Sequence, residues 1–142
     1  MGSDPDRWHR GRALVAGAAS GQALVLDHGL SFAMAVDVES GVISDVHSPA
    51  TGARLTGRVL VMPSGRGSSS ASTSFAEALR LGTGPVGIIL REVDQILVIG
   101  AIVARSLYGV TCPIVVAESD DYAAIEANAR VEIRSDGSFR LA

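Results

Sequence analysis

The sequence predicts a mixed α/β domain with a β-rich first half and a parallel βαβ unit in the second half. Three apolar runs, residues 58–62, 85–90 and 113–117, have the continuous hydrophobic pattern of strands that are buried on both faces. Two segments with helical spacing separate these runs, one from Ser72 or Ser74 to Gly82 and one at residues 94–107. Strands that alternate with helices in this order form a parallel sheet with right-handed crossovers.

Length and composition are those of one domain. The chain has 142 residues, of which 47% are hydrophobic and only 4% aromatic, so we expect a core of Ala, Val, Ile and Leu. All 12 basic residues are arginines and the net charge is −3, which argues against nucleic-acid binding. The absence of lysine excludes P-loop and Schiff-base chemistry. One cysteine and no segment of membrane-spanning length favour a reducing, cytoplasmic location away from membranes.

The first half is predicted to form short strands joined by turns. Apolar alternation and turn-forming residues mark these elements. The expected elements are strands at 12–15, 21–26, 31–38 and 42–46, with turns at 39–41 and 49–52. Residues 1–11 are expected to be an N-terminal extension, with MGSDP in part a cloning remnant, so the predicted domain covers residues 12–142.

The second half contains the predicted helices. The first helix has Phe75, Ala78 and Leu79 on its apolar face. The second is expected to begin after a capping Asp94 and to end at Gly109. Further elements are expected as a short helix at 122–127 and a hairpin of strands at 130–134 and 138–141 around Ser-Asp-Gly.

The loop PSGRGSSSAS, between the strand at 58–62 and the first helix, is the most informative segment. Gly65 and Gly67 let the backbone turn tightly and approach a ligand, and Arg66 offers two parallel donors to a carboxylate or phosphate. The serines lie at a helix N-terminus, where a hydroxyl surrounded by N–H groups and an arginine becomes a plausible proton acceptor. The pattern therefore fits an anion-binding corner, and a plain solvated Gly/Ser loop is the alternative.

The remaining candidate residues are better explained without a functional site. The segment GTGPVG at residues 82–87 has the spacing of a dinucleotide-binding motif but follows a helix and enters a strand, which is the wrong context. Cys112 is expected to be a buried small hydrophobe. Asp37 and Asp45 flank a turn, where solvated carboxylates are usual. The histidines, His9, His28 and His47, lack partners at metal-binding spacing.

Three segments, in this order, resemble the small subunit of the aconitase X family. They are SFAMAVDVESGVISDVH at 31–47, GRVLVMPSGRGSSSAS at 57–72 and DQILVIGAIVARSLYG at 94–109. The similarity runs from about Arg12 to Leu141. It implies a swivelling β/β/α three-layer domain that closes over a large subunit, and together the two subunits form a hydro-lyase.

The resemblance also implies a substrate class and a set of site residues. Members of the family dehydrate mevalonate 5-phosphate in archaea or 3-hydroxyproline in bacteria. The lysine-free composition favours a bacterial source, and so 3-hydroxyproline. Matched residue by residue, Ser68 becomes the catalytic proton acceptor, and Gly65, Arg66, Gly67 and Ser69 become substrate-binding residues. The iron or iron–sulfur cluster is expected in the large subunit, with no cofactor bound by this chain alone.

One segment departs from the family pattern. Many members have Ser-Phe-Trp-Gly-Gly where this chain has Ser31 and Phe32 followed by Ala33, Met34 and Ala35. Bulkier residues at these positions would change the shape of a substrate pocket, so the identity of the substrate stays open. The alternative from another functional class is a stand-alone swivel domain that binds an anion or regulates without catalysis.

Overall fold

An eight-stranded sheet and two long helices organise the domain. The computed structural model describes residues 7–142, so the expected cloning remnant at residues 1–5 lies outside the described residues. The strands are β1 (Trp8–His9), β2 (Gly11–Val15), β3 (Ala19–Val25), β4 (Val36–Asp37), β5 (Val42–Ile43), β6 (Val59–Met62), β7 (Gly87–Leu90), β8 (Ile114–Ala117), β9 (Arg130–Ile133) and β10 (Phe139–Leu141). The helices are α1 (Ser69–Leu81), α2 (Gln95–Tyr108) and α3 (Ser119–Ala123).

The strands of the main sheet lie in the order β1-β10-β9-β3-β6-β7-β8-β2. Its four central strands, β3, β6, β7 and β8, are parallel to one another. At one edge β2 pairs antiparallel with β8, and on the other side β9, β10 and β1 continue the sheet in antiparallel pairs. The parallel βαβ units predicted from the sequence are confirmed as β6-α1-β7 and β7-α2-β8.

Alternate side chains of the central strands enter two separate hydrophobic cores. In β6, Leu60 and Met62 pack in the core that α1 and α2 cover, whereas Val59 and Val61 pack with residues of β9 and β10. The curled end of the sheet therefore covers one face and the helices cover the other, which gives the expected three β/β/α layers. This double burial explains why the strand sequences are continuously apolar.

The first half contains less strand than the sequence predicts. Residues 32–35 form turns, and only Val36–Asp37 of the predicted strand 31–38 pairs with β5. The Ala35 N–H donates to the Ser31 carbonyl at 2.8 Å, which folds the segment back on itself. The strand predicted at 42–46 ends at Ile43, because the Asp45 carboxylate accepts the His47 N–H at 3.0 Å and starts a turn.

The sheet begins ahead of residue 12, within the segment expected to be an extension. Trp8 and His9 pair with β10, and the Arg134 guanidinium lies 3.4 Å from the centre of the Trp8 ring. His9 is buried, and its Nδ1 lies 2.9 Å from an Asp121 carboxylate oxygen. These contacts attach residues 8–11 to the domain.

Two helix boundaries differ from the sequence prediction, and one agrees. Helix α1 begins at Ser69, before the predicted start at Ser72 or Ser74, because the chain already turns helically within the Gly/Ser segment. Helix α2 is confirmed: Asp94 Oδ1 accepts the Leu97 N–H at 3.1 Å, and Gly109 ends the helix with φ 68°. Helix α3 lies at 119–123, earlier than the predicted 122–127. No helix of the described residues is long and apolar enough to span a membrane.

Cys112 lies in the core next to β8, as expected. Its Sγ donates weakly to the Pro85 carbonyl at 3.6 Å, and burial raises the pKa of the thiol to about 12. An unfolded chain gives up this proton from about pH 8.5. The thiol therefore stabilises the fold fully below that pH, and this contribution is lost as the pH rises toward 12.

We therefore expect the Cys112→Ala substitution to flatten the alkaline loss of stability. Between pH 8 and pH 11 the free energy of unfolding of the unsubstituted protein should fall faster than that of the variant, by up to about 1 kcal/mol per pH unit. Urea unfolding of both proteins at each pH measures this difference. Parallel pH curves would show that the thiol is already exposed to solvent.

Candidate functional site

The carboxyl ends of the parallel strands meet at one edge of the sheet. The segment after β3 begins at Asp27, the Gly/Ser loop at residues 63–68 follows β6, and residues 91–94 follow β7. Ligands of open α/β sheets bind at this edge, because the connecting loops are exposed there on a rigid base. The loop selected from the sequence is therefore in the position that a binding site requires.

Neighbouring segments hold the loop backbone on both sides. The Arg66 N–H donates to the Leu30 carbonyl at 3.1 Å, which ties the loop to the segment after β3. On the other side, the Pro63 carbonyl accepts the N–H groups of Arg91 and Glu92 at 3.0 and 3.1 Å. The loop is exposed toward its tip but anchored at its base.

Both glycines of the loop are required by close contacts. Gly67 has φ 140°, and a Cβ there would lie 2.6 Å from the Ala71 Cβ and 3.3 Å from Ser31 Oγ. A Cβ on Gly65 would lie 2.5 Å from Asp94 Oδ2. The loop can therefore pack between α1, α2 and the segment after β3 only with bare backbone at these positions.

Ser68 is the N-cap residue of α1, but its hydroxyl does not cap the helix. Instead, Ser68 Oγ lies 2.8 Å from Ser70 Oγ, in an exposed pair of hydroxyl groups. The first turn of α1 contains no acidic residue, so no side-chain charge neutralises the positive end of the helix dipole. The exposed Ser68 hydroxyl therefore lies in a field that favours a negative charge.

A cleft of about 810 Å³ opens beside the loop. Arg66 and Gly67 form part of its wall, whereas Gly65, Ser68 and Ser69 do not line it. The other polar residues of the cleft wall come from the segments after β3 and β5: Asp27, His28, Ser31, Asp45, His47 and Ser48. Of the predicted site residues, Arg66 and Gly67 therefore lie in the cleft wall, whereas Ser68 and Ser69 lie at the exposed start of α1.

These polar cleft residues from the segments after β3 and β5 were not predicted from the sequence as parts of a site. His28 and His47 are far apart in the sequence, and no spacing pattern connects them to Arg66. The fold brings them together, since the segments after β3 and after β5 line the same cleft. Met34, in the segment that departs from the family pattern, is 84% exposed and also contributes to the cleft wall.

A metal site was not predicted for this chain. Within residues 7–142, no three His, Cys, Asp or Glu side chains gather in a cluster that could hold a metal ion. His9, in β1, is hydrogen-bonded to Asp121 and is remote in sequence from the other two histidines.

Comparison with known proteins connects this geometry to one family. The model of the aconitase X swivel domain matches residues 8–141. Over 103 residues the chain is 48% identical to a cis-3-hydroxy-L-proline dehydratase of Pseudomonas aeruginosa, covering 72% of this chain and 18% of that protein. Over 95 residues it is 39% identical to the phosphomevalonate dehydratase small subunit of Pyrococcus furiosus, covering 67% and 71%.

The fold has a close counterpart among solved structures. The holo-form of aconitase X from Thermococcus kodakaraensis superposes with a TM-score of 0.84 at 28% sequence identity, covering 96% of this chain and 98% of that one. The resemblance drawn from the sequence is confirmed, as is the fold class. The chain spans only about a fifth of the Pseudomonas relative, but most of the length of the Pyrococcus small subunit.

The contact between Gly65 and Asp94 gives a test of the loop geometry. We expect Gly65→Ala to lower the free energy of unfolding by about 1–3 kcal/mol, because the new methyl group collides with the Asp94 carboxylate. Asp94→Ser shortens that side chain but keeps a capping oxygen on α2. In the Asp94→Ser background the same glycine substitution should cost clearly less. Urea unfolding of the four proteins measures this, and equal costs in both backgrounds would contradict the contact.

Proposed function

Because the chain belongs to the aconitase X swivel domain family, we propose that it is the smaller part of a two-subunit dehydratase that acts on a small hydroxy acid. The proposal rests on the exposed Ser68 hydroxyl, which is bonded to Ser70 at the start of α1, beside a cleft that carries Arg66. The relatives named as dehydratases supply the reaction class. A stand-alone module that binds an anion without catalysis is the alternative.

Dehydration of a hydroxy acid makes defined demands on a site. A base takes a proton from the carbon beside the carboxylate, the hydroxyl leaves from the neighbouring carbon, and the products are an alkene and water. The site therefore needs a base, a group that holds the carboxylate, and a group that assists the departing hydroxyl. We assign the first two to this chain.

Ser68 is the proposed proton acceptor. A serine hydroxyl is an effective base only as an alkoxide, so its surroundings must stabilise a negative charge. The Ser70 hydroxyl, 2.8 Å away, can donate to that oxygen, and the free N–H groups of the first turn of α1 contribute a positive potential. The exposure of Ser68 lets a substrate carbon approach it.

Arg66 is the proposed carboxylate-binding residue. Its side chain is exposed, and among residues 7–142 no carboxylate forms an ion pair with it. A guanidinium group can bind a carboxylate through two parallel hydrogen bonds. Gly65 and Gly67 keep the backbone free of side chains around the bound group, and the exposed Ser69 hydroxyl is a further donor.

The charges of the cleft support 3-hydroxyproline as the substrate. Asp27 and Asp45 lie in the cleft wall together with a single arginine, Arg66. An imino acid carries one carboxylate and one cationic nitrogen, which suits this mixture of charges, whereas a phosphate together with a carboxylate would meet repulsion from the two aspartates. The alternative, mevalonate 5-phosphate, is favoured by the separate small subunits of the archaeal relatives, which this chain matches over most of their length.

Assistance to the departing hydroxyl is assigned to the larger subunit. The family resemblance implies iron, and we propose that the larger subunit holds it. The single cysteine of this chain fits the reducing, cytoplasmic setting that we propose for the complex. Iron, when bound there, supplies a Lewis acid for the hydroxyl. The chain described here then holds the carboxylate and accepts the proton.

The test of this function is an assay of the chain in complex with its larger subunit, using cis-3-hydroxy-L-proline and mevalonate 5-phosphate. We expect turnover of the first, and a drop in kcat of roughly 100-fold or more for Ser68→Ala with assembly intact. An unchanged kcat in this variant would exclude the serine as the base. If no larger subunit binds and the isolated chain only binds anions, the non-catalytic alternative is correct.

The hydroxyl pair gives a second prediction, on the pH profile. Removing a hydrogen bond to a charged oxygen costs about 1.5–3 kcal/mol. In Ser70→Ala the ascending limb of the pH profile of kcat/KM should therefore move to higher pH, by about one to two units. Ser70→Thr keeps the hydroxyl and should restore the limb. Thr73→Ala removes an exposed hydroxyl farther along α1 and serves as the matched control. A profile that does not move in Ser70→Ala would show that the pair has no role in proton transfer.

A further inference from the structure

The outer face of α2 is apolar. Only one of the 14 residues of this helix, Arg105, is charged. Large apolar side chains are exposed along the helix and in the residue pair before it: Val93, Ile99, Ile102, Val103 and Leu107, here called the α2 apolar face. Of these, Ile99 is 51% exposed and Leu107 is 69% exposed. An apolar stripe of this kind on a surface helix marks a binding surface.

The neighbouring helix of the same layer, α1, does not have an apolar outer face. Helix α1 packs closely against α2, since a Cβ on Gly100 would lie 2.9 Å from the Phe75 ring. Yet the outer side of α1 carries Thr73 and an ion pair between Glu77 and Arg80, the usual pattern for a face in water. Two helices on one sheet therefore have different outer surfaces.

We propose that the larger subunit of the dehydratase binds the α2 apolar face. This inference rests on the proposed function, in which a second polypeptide completes the site at the Gly/Ser loop. The loop and α2 are in direct contact, because Gly65 packs against Asp94 and Leu97 at the start of the helix. A partner that covers the loop therefore reaches the first turn of α2, from which the apolar face continues along the helix.

The relatives indicate which occupant covers this face. In the Pseudomonas dehydratase the matched region is 18% of the chain, so most of that polypeptide lies outside the swivel domain. The Pyrococcus relative is named a small subunit, and that name implies a larger companion. A second copy of this chain would cover the apolar face but would add no different chemical group beside Ser68. The larger subunit would both cover the apolar face and bring a different chemical group to Ser68.

The surface of the partner can be specified further. It should present apolar side chains to Ile99, Ile102 and Leu107, with a carboxylate at the margin. Arg105 is exposed at this margin, and within residues 7–142 no carboxylate forms an ion pair with it. A charged pair at the rim of an apolar contact fixes its orientation more than its strength.

The experiment compares binding of the larger subunit to the full chain and to two variants of the face, Ile99→Glu and Leu107→Glu. We expect each to weaken binding by roughly 30-fold or more, since a charge is placed in the buried centre of the contact. Both positions are exposed in the isolated chain, so its melting temperature should be retained. Thr73→Glu, on the outer side of α1, is the matched control and should bind like the unsubstituted chain.

Each outcome has a distinct meaning. Unchanged affinity in both variants overturns the assignment of the face, while the proposed function stands if the complex is active and depends on Ser68. An isolated chain that is a dimer, and that either variant converts to a monomer without weakening the larger subunit, identifies a second copy as the occupant and also overturns it. If the unsubstituted chain binds no larger subunit, the proposed function fails first and this inference fails with it.

Discussion

Burial of the central strands on both faces is the constraint on which the rest of the domain depends. A strand such as β6 can be completely apolar only if two separate layers cover it, and here the helices form one layer and the curled end of the sheet forms the other. Parallel strands need helical crossovers, which fixes α1 and α2 on one face. The loops between strands and helices are consequently confined to the edges of the sheet.

The position of the loop at the sheet edge explains why the candidate site has an anchored base and an exposed hydroxyl. The Gly/Ser loop is anchored to its neighbours, because Pro63 and Arg66 are hydrogen-bonded to the segments on either side. Its glycines make room for Asp94 and Ser31, and its last residue, Ser68, lies at the open end of α1. An anchored base with an exposed hydroxyl suits the proposed role of Ser68 as a proton acceptor, because that role needs a fixed position and access for the substrate.

The proposed function makes the site on this chain half of a larger one, and the surface of the chain is consistent with that. The proposed carboxylate-binding and proton-accepting groups lie at the edge of the sheet, and the described residues supply no cluster of metal ligands. The α2 apolar face lies on the helix whose first turn contacts Gly65 of the loop, and it is unlike the charged outer side of α1. Both features are explained together if one partner covers the loop and the helix. A single association would then complete the site and bury the apolar surface.

The sequence by itself determined the parallel βαβ core, helix α2 and the C-terminal hairpin, because continuous apolar runs, capping residues and turn glycines are local signals. It also located the loop that contains Ser68. Only the tertiary structure decided that residues 32–35 form turns, that α1 starts at Ser69, and that His28 and His47 line the same cleft as Arg66. These outcomes depend on contacts between segments distant in sequence, whose strength no local pattern records.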